Sequence, residues 1–171
     1  YKSLAQTLKY PDTKIVRSVS GIRGRIDLVE SPYARFAPGL SLQFHKALPK
    51  QKALYLDADS PLMLYEISDP AQAEFASYSL PYAVYAATPE FSEVLVMQRG
   101  GGSAIAAAIA SGAKKVVVAE EHREAAKILR EHYGVRIVED SPAAFLARSK
   151  RRYSIIQIER WGASLPGAAA L

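Results

Sequence analysis

From Glu93 onward the chain alternates short, unbroken apolar runs with segments of helical spacing, and the links between them are only a few residues long. Val94-Leu95-Val96-Met97 reads as a strand, Gly100-Gly101-Gly102 as a tight turn, and the alanine-rich residues 103–111 as a helix stopped by Gly112. The pattern repeats with a strand over 115–119, a helix over 122–133 stopped by Gly134, a strand over 135–138, a helix over 141–149 and a strand over 153–158. Ser141-Pro142 suits the start of that last helix, because serine can cap it and proline tolerates the first turn. Strand and helix alternating in this way build a parallel sheet, and strands that are apolar throughout are covered on both faces. Right-handed crossovers, with the switch point beside the glycine strand, predict a strand order of 3-2-1-4.

The front of the chain has a different texture. Lys14-Ile15-Val16-Arg17-Ser18-Val19 and Arg25-Ile26-Asp27-Leu28-Val29-Glu30 alternate in polarity around Gly21-Ile22-Arg23-Gly24, which predicts a β-hairpin. Further short strands are expected at 34–37, 40–44, 53–56 and 62–67, separated by Pro38-Gly39, Pro49-Lys50 and Asp57-Ala58-Asp59-Ser60-Pro61. Phe75, Tyr78, Tyr82 and Tyr85 then recur at helical spacing with Pro81 among them, so a kinked or broken helix follows. The chain is therefore expected to be α/β: a small N-terminal antiparallel β module over 1–68, a kinked helical connector over 69–92, and a parallel-sheet domain over 93–171.

Composition narrows the chemistry. The 171 residues include no cysteine, so disulfide scaffolds and thiolate metal sites are excluded. The three histidines, His45, His122 and His132, lack ligand spacing, and no metal site is expected. No stretch approaches the ~18 to 20 apolar residues of a spanning helix and no signal-peptide pattern opens the chain, so we expect a cytoplasmic segment that is not inserted in a membrane. Because it begins at Tyr1 without a methionine and ends without a polar tail, it reads as a piece of a longer protein. The net charge of +5 draws on Lys150-Arg151-Arg152, a run short enough to be solvated surface, and nucleic acid is not an expected partner.

A glycine turn between a first strand and its helix lets a ligand approach bare backbone at a helix N-terminus. Gly100, Gly101 and Gly102 stand at that place, and Glu120, about 20 residues on at the end of the second strand, could accept both hydroxyls of a ribose. A nicotinamide fingerprint would need glycine at Ile105, so that cofactor is disfavoured. The simpler alternative is a plain turn followed by a solvated strand end. Arg99 has two readings: a partner for a ligand carboxylate or for Glu120, or a side chain filling the cofactor's space.

These residues resemble the spermidine synthase family, in which a small β domain precedes a Rossmann-like methyltransferase fold. Val94-Leu95-Val96-Met97-Gln98-Arg99-Gly100-Gly101-Gly102 is similar to the family's Val-Leu-Val-Ile-Gly-Gly-Gly-Asp-Gly, and Val116-Val117-Val118-Ala119-Glu120 to Val-Thr-Leu-Val-Glu. Ser141-Pro142-Ala143-Ala144-Phe145-Leu146, with Asp140 just before it, resembles Asp-Ala-Arg-Ala-Phe-Leu, which lies near the adenine. Tyr153-Ser154-Ile155-Ile156-Gln157-Ile158-Glu159 resembles a stretch that ends on the catalytic aspartate, and Glu74-Phe75-Ala76-Ser77-Tyr78 resembles one whose tyrosine lines the amine site. The resemblance implies a partial Rossmann-like fold that binds S-adenosylmethionine or its decarboxylated form. It also implies a cofactor site at Arg99, Gly100, Gly101, Gly102, Glu120, Asp140 and Ser141, and catalytic roles for Glu159 and Tyr78.

The acidic amine site is depleted in this chain, and Arg99 and Arg160 stand near it, so spermidine formation itself is not expected. Trp161 and the tyrosines at 78, 82 and 85 suit either an aromatic pocket for a cation or a seam between the two halves. Three readings stay open: an active S-adenosylmethionine-type transferase, a domain that binds the nucleoside without turnover, and a non-catalytic interaction domain. An unpaired last strand would favour a homodimer, or burial of that edge by the β module.

Overall fold

The computed structural model describes residues 2–59, 61–98 and 101–159. It begins with a short helix, α1 (Ser3–Thr7), whose Leu4 is buried and whose presence the sequence reading did not anticipate. The hairpin follows as β1 (Lys14–Gly21) and β2 (Gly24–Glu30), antiparallel, with a register shift between Ile15 and Arg17. Its turn depends on Gly24, which adopts φ +113°; a Cβ there would also lie 2.6 Å from the Asp57 carboxylate. That carboxylate accepts the Arg25 N–H at 2.8 Å and ties the hairpin to the next turn.

β3 (Gln51–Leu56) and β4 (Pro61–Tyr65) complete an antiparallel sheet in the order β1-β2-β3-β4. The strands expected at 34–37 and 40–44 are absent. Pro32, Pro38 and Pro49 punctuate this stretch and remove backbone donors, and the remaining polar groups are satisfied locally. Phe36 N–H donates to the Gln51 side chain at 2.8 Å, Leu40 N–H to the Ala37 carbonyl at 3.2 Å, and Leu40 forms only an isolated bridge with Ser79.

The connector is broken, as Pro81 leads one to expect. A 3-10 segment, Pro70–Tyr78, starts where the Asp69 side chain accepts the Ala71 N–H at 2.6 Å. Ser79 is extended, a second 3-10 turn covers Leu80–Tyr82, and α2 (Ala83–Ala87) follows.

β5 (Glu93–Gln98), α3 (Ser103–Ala110), β6 (Lys115–Glu120), α4 (Arg123–His132), β7 (Arg136–Glu139), α5 (Pro142–Arg148) and β8 (Ile155–Ile158) form the second half. All its strand pairs are parallel and the order is β7-β6-β5-β8, the 3-2-1-4 expected from right-handed crossovers. The chain is thus α/β, with an antiparallel sheet followed by a partial methyltransferase-like fold. One contiguous apolar core joins the halves: Leu54, Leu64 and Tyr65 of the first sheet pack in the same cluster as Phe75, Ile105 and Leu129. Among the described residues no helix is long and apolar enough to cross a membrane.

Candidate ligand site at the carboxyl edge of the parallel sheet

In an open parallel sheet the crevice for a ligand lies beyond the carboxyl ends of the strands where their order reverses, here between β5 and β8. Acidic side chains stand along that edge. Glu120 ends β6 opposite Gln98 of β5, Glu139 ends β7 opposite Glu120, and Glu159 follows β8, its N–H bonded to the Met97 carbonyl at 2.9 Å.

Glu120 is fully buried rather than a solvated strand end. Its carboxylate accepts the His122 N–H at 2.8 Å and its carbonyl accepts the Asp140 N–H at 3.1 Å, which holds the β6–α4 and β7–α5 links together. Asp140 itself is ion-paired with Arg148 of α5. Ser141 precedes Pro142 at the start of that helix, with no side-chain capping bond. The β1–β2 turn reaches the same region, where Arg23 pairs with Glu121 at 3.3 Å.

Glu159 lies against the glycine turn. One carboxylate oxygen accepts the Ala104 N–H of α3 at 3.3 Å, and a Cβ on Gly101 would come within 3.3 Å of the other. A carboxylate at a helix N-terminus is stabilised by the unpaired N–H groups and the dipole there. Gly102 faces the other way, into the seam: a Cβ there would collide with the Tyr133 hydroxyl and lie 2.8 Å from the Met63 carbonyl. Tyr133 uses that hydroxyl to accept the Tyr65 N–H at 2.9 Å. Burial pushes the Tyr133 hydroxyl's pKa up, and the nearby Glu159 charge adds to the effect, so it remains a neutral phenol. Tyr65 is raised for the same reasons, with a hydrogen bond from Ser103 opposing.

Beside Gly101, Ser103 and Glu159 opens a cavity of about 700 Å³. Its far wall comes from the N-terminal module and the connector: Phe36, Leu62, Met63 and Leu80 are the larger apolar residues. Gln157 completes the polar side and is held in place from both ends. Its Nε2 donates to the Pro81 carbonyl at 2.9 Å, and its Oε1 accepts the Tyr85 hydroxyl at 2.7 Å. Burial raises the pKa of Tyr85 and keeps it a donor.

Of the residues singled out from sequence, Gly101 and Glu159 share this cavity, while Glu120, Asp140 and Ser141 stand along the neighbouring strand ends. Tyr78 is not brought to it. Its ring packs on Phe44 with centroids 5.4 Å apart, and it is absent from the cavity lining among the described residues. Arg99, Gly100, Arg160 and Trp161 lie outside the described residues. Gln157, Met63 and Leu80 escaped the sequence reading. Gln157 carried a faint signal as a polar residue in an apolar run, and the others read as ordinary core.

No family model and no curated protein matches the chain in sequence. The parallel sheet, its strand order and the preceding antiparallel sheet define a spermidine synthase-like fold, and solved structures share it. A spermidine synthase in complex with the transition-state analogue AdoDATO superposes with TM-score 0.53 at 18% identity, over 86% of this chain and 48% of that one. The spermidine synthase of Thermotoga maritima gives TM-score 0.53 at 18% identity, over 86% of this chain and 47% of that one. The chain therefore spans about half the length of these structures. Among the described residues no acidic or histidine cluster suited to a metal ion is present.

Proposed function

We propose that the carboxyl edge of this sheet binds an S-adenosylmethionine-type nucleoside, and that the domain is a spermidine synthase-like transferase whose acceptor is not putrescine. The reading rests on one juxtaposition: the bare turn at Gly101, the buried carboxylate of Glu120 and the carboxylate of Glu159 lie at the carboxyl ends of adjoining strands. Glu120 would accept the ribose hydroxyls, and Gly101 would leave space for the chain attached to the ribose. Asp140 and Ser141, on the link after β7, would flank the base. The spermidine synthase bound to AdoDATO supports a nucleoside-type ligand for this fold.

A sulfonium nucleoside would supply an electrophilic carbon bonded to positive sulfur. Glu159, as base, would take a proton from an acceptor amine. The freed nitrogen lone pair would then bond to that carbon as the C–S bond breaks and its electron pair stays on sulfur. Positioning by the cavity walls would supply much of the rate. A second reading, nucleoside binding without turnover, is favoured by one observation: Glu159 already accepts the Ala104 N–H, which ties its carboxylate to the start of α3.

Calorimetric titration with methylthioadenosine tests the site. Binding is expected, and Glu120→Gln, whose amide oxygen can still accept the His122 N–H, should weaken it by about 1.5 to 3 kcal/mol, as for hydrogen bonds to a charged group. Equal affinity in both proteins would remove Glu120 from the site. Spermidine formation from putrescine and decarboxylated S-adenosylmethionine is expected to be undetectable. Turnover of putrescine that Glu159→Gln abolishes would restore the synthase reading.

A further inference from the structure

Sequence alone reads Lys150-Arg151-Arg152 as a short solvated run, but the parallel pairing sets it beside a second group of cations. The strands begin at the edge of the sheet opposite the candidate ligand site. There Glu93 opens β5 in register with Lys115 of β6. The link from α5 to β8 runs along the other side of β5, where the Ser154 N–H donates to the Glu93 carbonyl at 2.9 Å. One oxygen of the Glu93 carboxylate accepts Lys115 Nζ at 2.7 Å, and the other lies 3.8 Å from the Arg151 guanidinium. Glu93 therefore gathers two cations from separate elements at one point. Its side chain is 22% exposed against 64% for Lys115 and 52% for Arg151, so the acid lies beneath the cations.

Lys114, Lys150 and Arg152 adjoin those two cations in sequence, are exposed, and make no ion pair among the described residues. Glu90, the other acid on the link into β5, is exposed and pairs with none of them. Five cations around one shared carboxylate leave a local excess of four positive charges, against +5 for the whole chain. Like charges gathered this closely repel one another, and the fold gains nothing from the three unpaired ones. We infer that this edge is a docking surface for another protein's acidic segment, a short extended run of Asp and Glu. From β6 to the link before β8 the surface crosses two strand spacings, or about 10 Å. An extended chain rises about 3.3 Å per residue, so an acidic run of about four to six residues spans it with side-chain reach included. Arginines at 151 and 152 suit carboxylates, which they can grip with two N–H groups at once. Other polyanions find less here. Among the described residues no large apolar or aromatic side chain between 85 and 155 is exposed, so bases have no ring to stack on and a membrane has no side chain to take up.

The surface lies on the opposite edge from the proposed nucleoside site and does not depend on that reading. The 171-residue chain is titrated against a fluorescently labelled hexaglutamate peptide and binding is followed by anisotropy. Saturable binding is expected, weakening about tenfold as salt rises from about 0.05 to about 0.5 M, because exposed charges are screened. Lys150→Glu with Arg152→Glu should weaken it by about tenfold or more. Lys9→Glu with Arg35→Glu makes the same change in net charge at exposed positions elsewhere that form no ion pair, and should alter the affinity by less than about twofold. None of these four side chains is buried or paired among the described residues, so both altered proteins are expected to keep the circular dichroism spectrum of the original. No saturable binding would overturn the proposal, and an equal loss in the two altered proteins would reduce it to an effect of net charge. Tighter binding of a DNA duplex or of phosphatidylserine vesicles than of the peptide, lost with Lys150→Glu and Arg152→Glu, would also overturn it by giving the surface a different partner.

Discussion

Gly102 shows how one missing side chain can serve packing. Its α-carbon sits where β4 and the end of α4 converge, with the Tyr133 hydroxyl and the Met63 carbonyl filling the space a Cβ would take. Gly102→Ala must displace either backbone or a tyrosine that already accepts the Tyr65 N–H. Overpacking of this kind costs about 1 to 3 kcal/mol. A urea titration should show that loss as a lower midpoint with unchanged slope. An unaltered midpoint would mean that the seam yields at no cost. Gly101 behaves differently, since the atoms a Cβ would meet belong to the Glu159 side chain, which can move.

At the scale of elements, α4 is the strut that fastens the parallel sheet to the hairpin module. Arg17 of β1 pairs with Glu131 at 2.6 Å, and His132 contacts the Tyr65 carbonyl through Nε2 at 2.9 Å. The bond to a carbonyl requires Nε2 to carry the proton, so the neutral ring suffices. Burial lowers the His132 pKa most, Lys52 lowers it further, and the Tyr65 bond and Glu66 oppose them. With its folded value below its unfolded one, near 6.5, the unfolded chain binds more protons in this window, so stability falls as pH drops below about 6.5. The urea midpoint should decline between pH 7 and pH 5 partly through this residue. His132→Gln, which keeps a donor for Tyr65, should flatten that decline, and an identical slope in the variant would assign it elsewhere.

For the whole molecule, the sheet edges set the association expected in solution. β8 pairs with β5 on one side, and among the described residues no strand pairs with its other side. Ile156 and Ile158 are exposed on it, and β1 presents Ile15 and Val16 on the edge of the other sheet. Unpaired apolar edges recruit further strands. Sedimentation velocity over a range of concentrations should reveal reversible dimerisation of the 171-residue chain, and Ile156→Lys should suppress it. A strictly monomeric protein would refute the expectation, and an unchanged dimer in the variant would move the contact away from β8.

The secondary pattern after Glu93 was legible because it is local. Apolar runs of strand length, glycine stops and the Ser141-Pro142 start state their elements within a few residues, and chirality then sets the order β7-β6-β5-β8. The Gly21 to Gly24 hairpin was legible for the same reason. Residues 34–44 misled because short apolar runs satisfy strand periodicity, while proline spacing and a distant acceptor on Gln51 decide where the backbone bonds go. The site divides likewise. Glycines and strand-end carboxylates mark the carboxyl edge in the sequence, since that edge is a consequence of topology. The burial of Glu120 and the apolar wall drawn from Phe36, Met63 and Leu80 were decided by tertiary packing, and the contact of Glu159 with α3 by the pairing of β8 with β5. Contacts between residues so far apart in the chain depend on the shape of both partners, which no local pattern encodes.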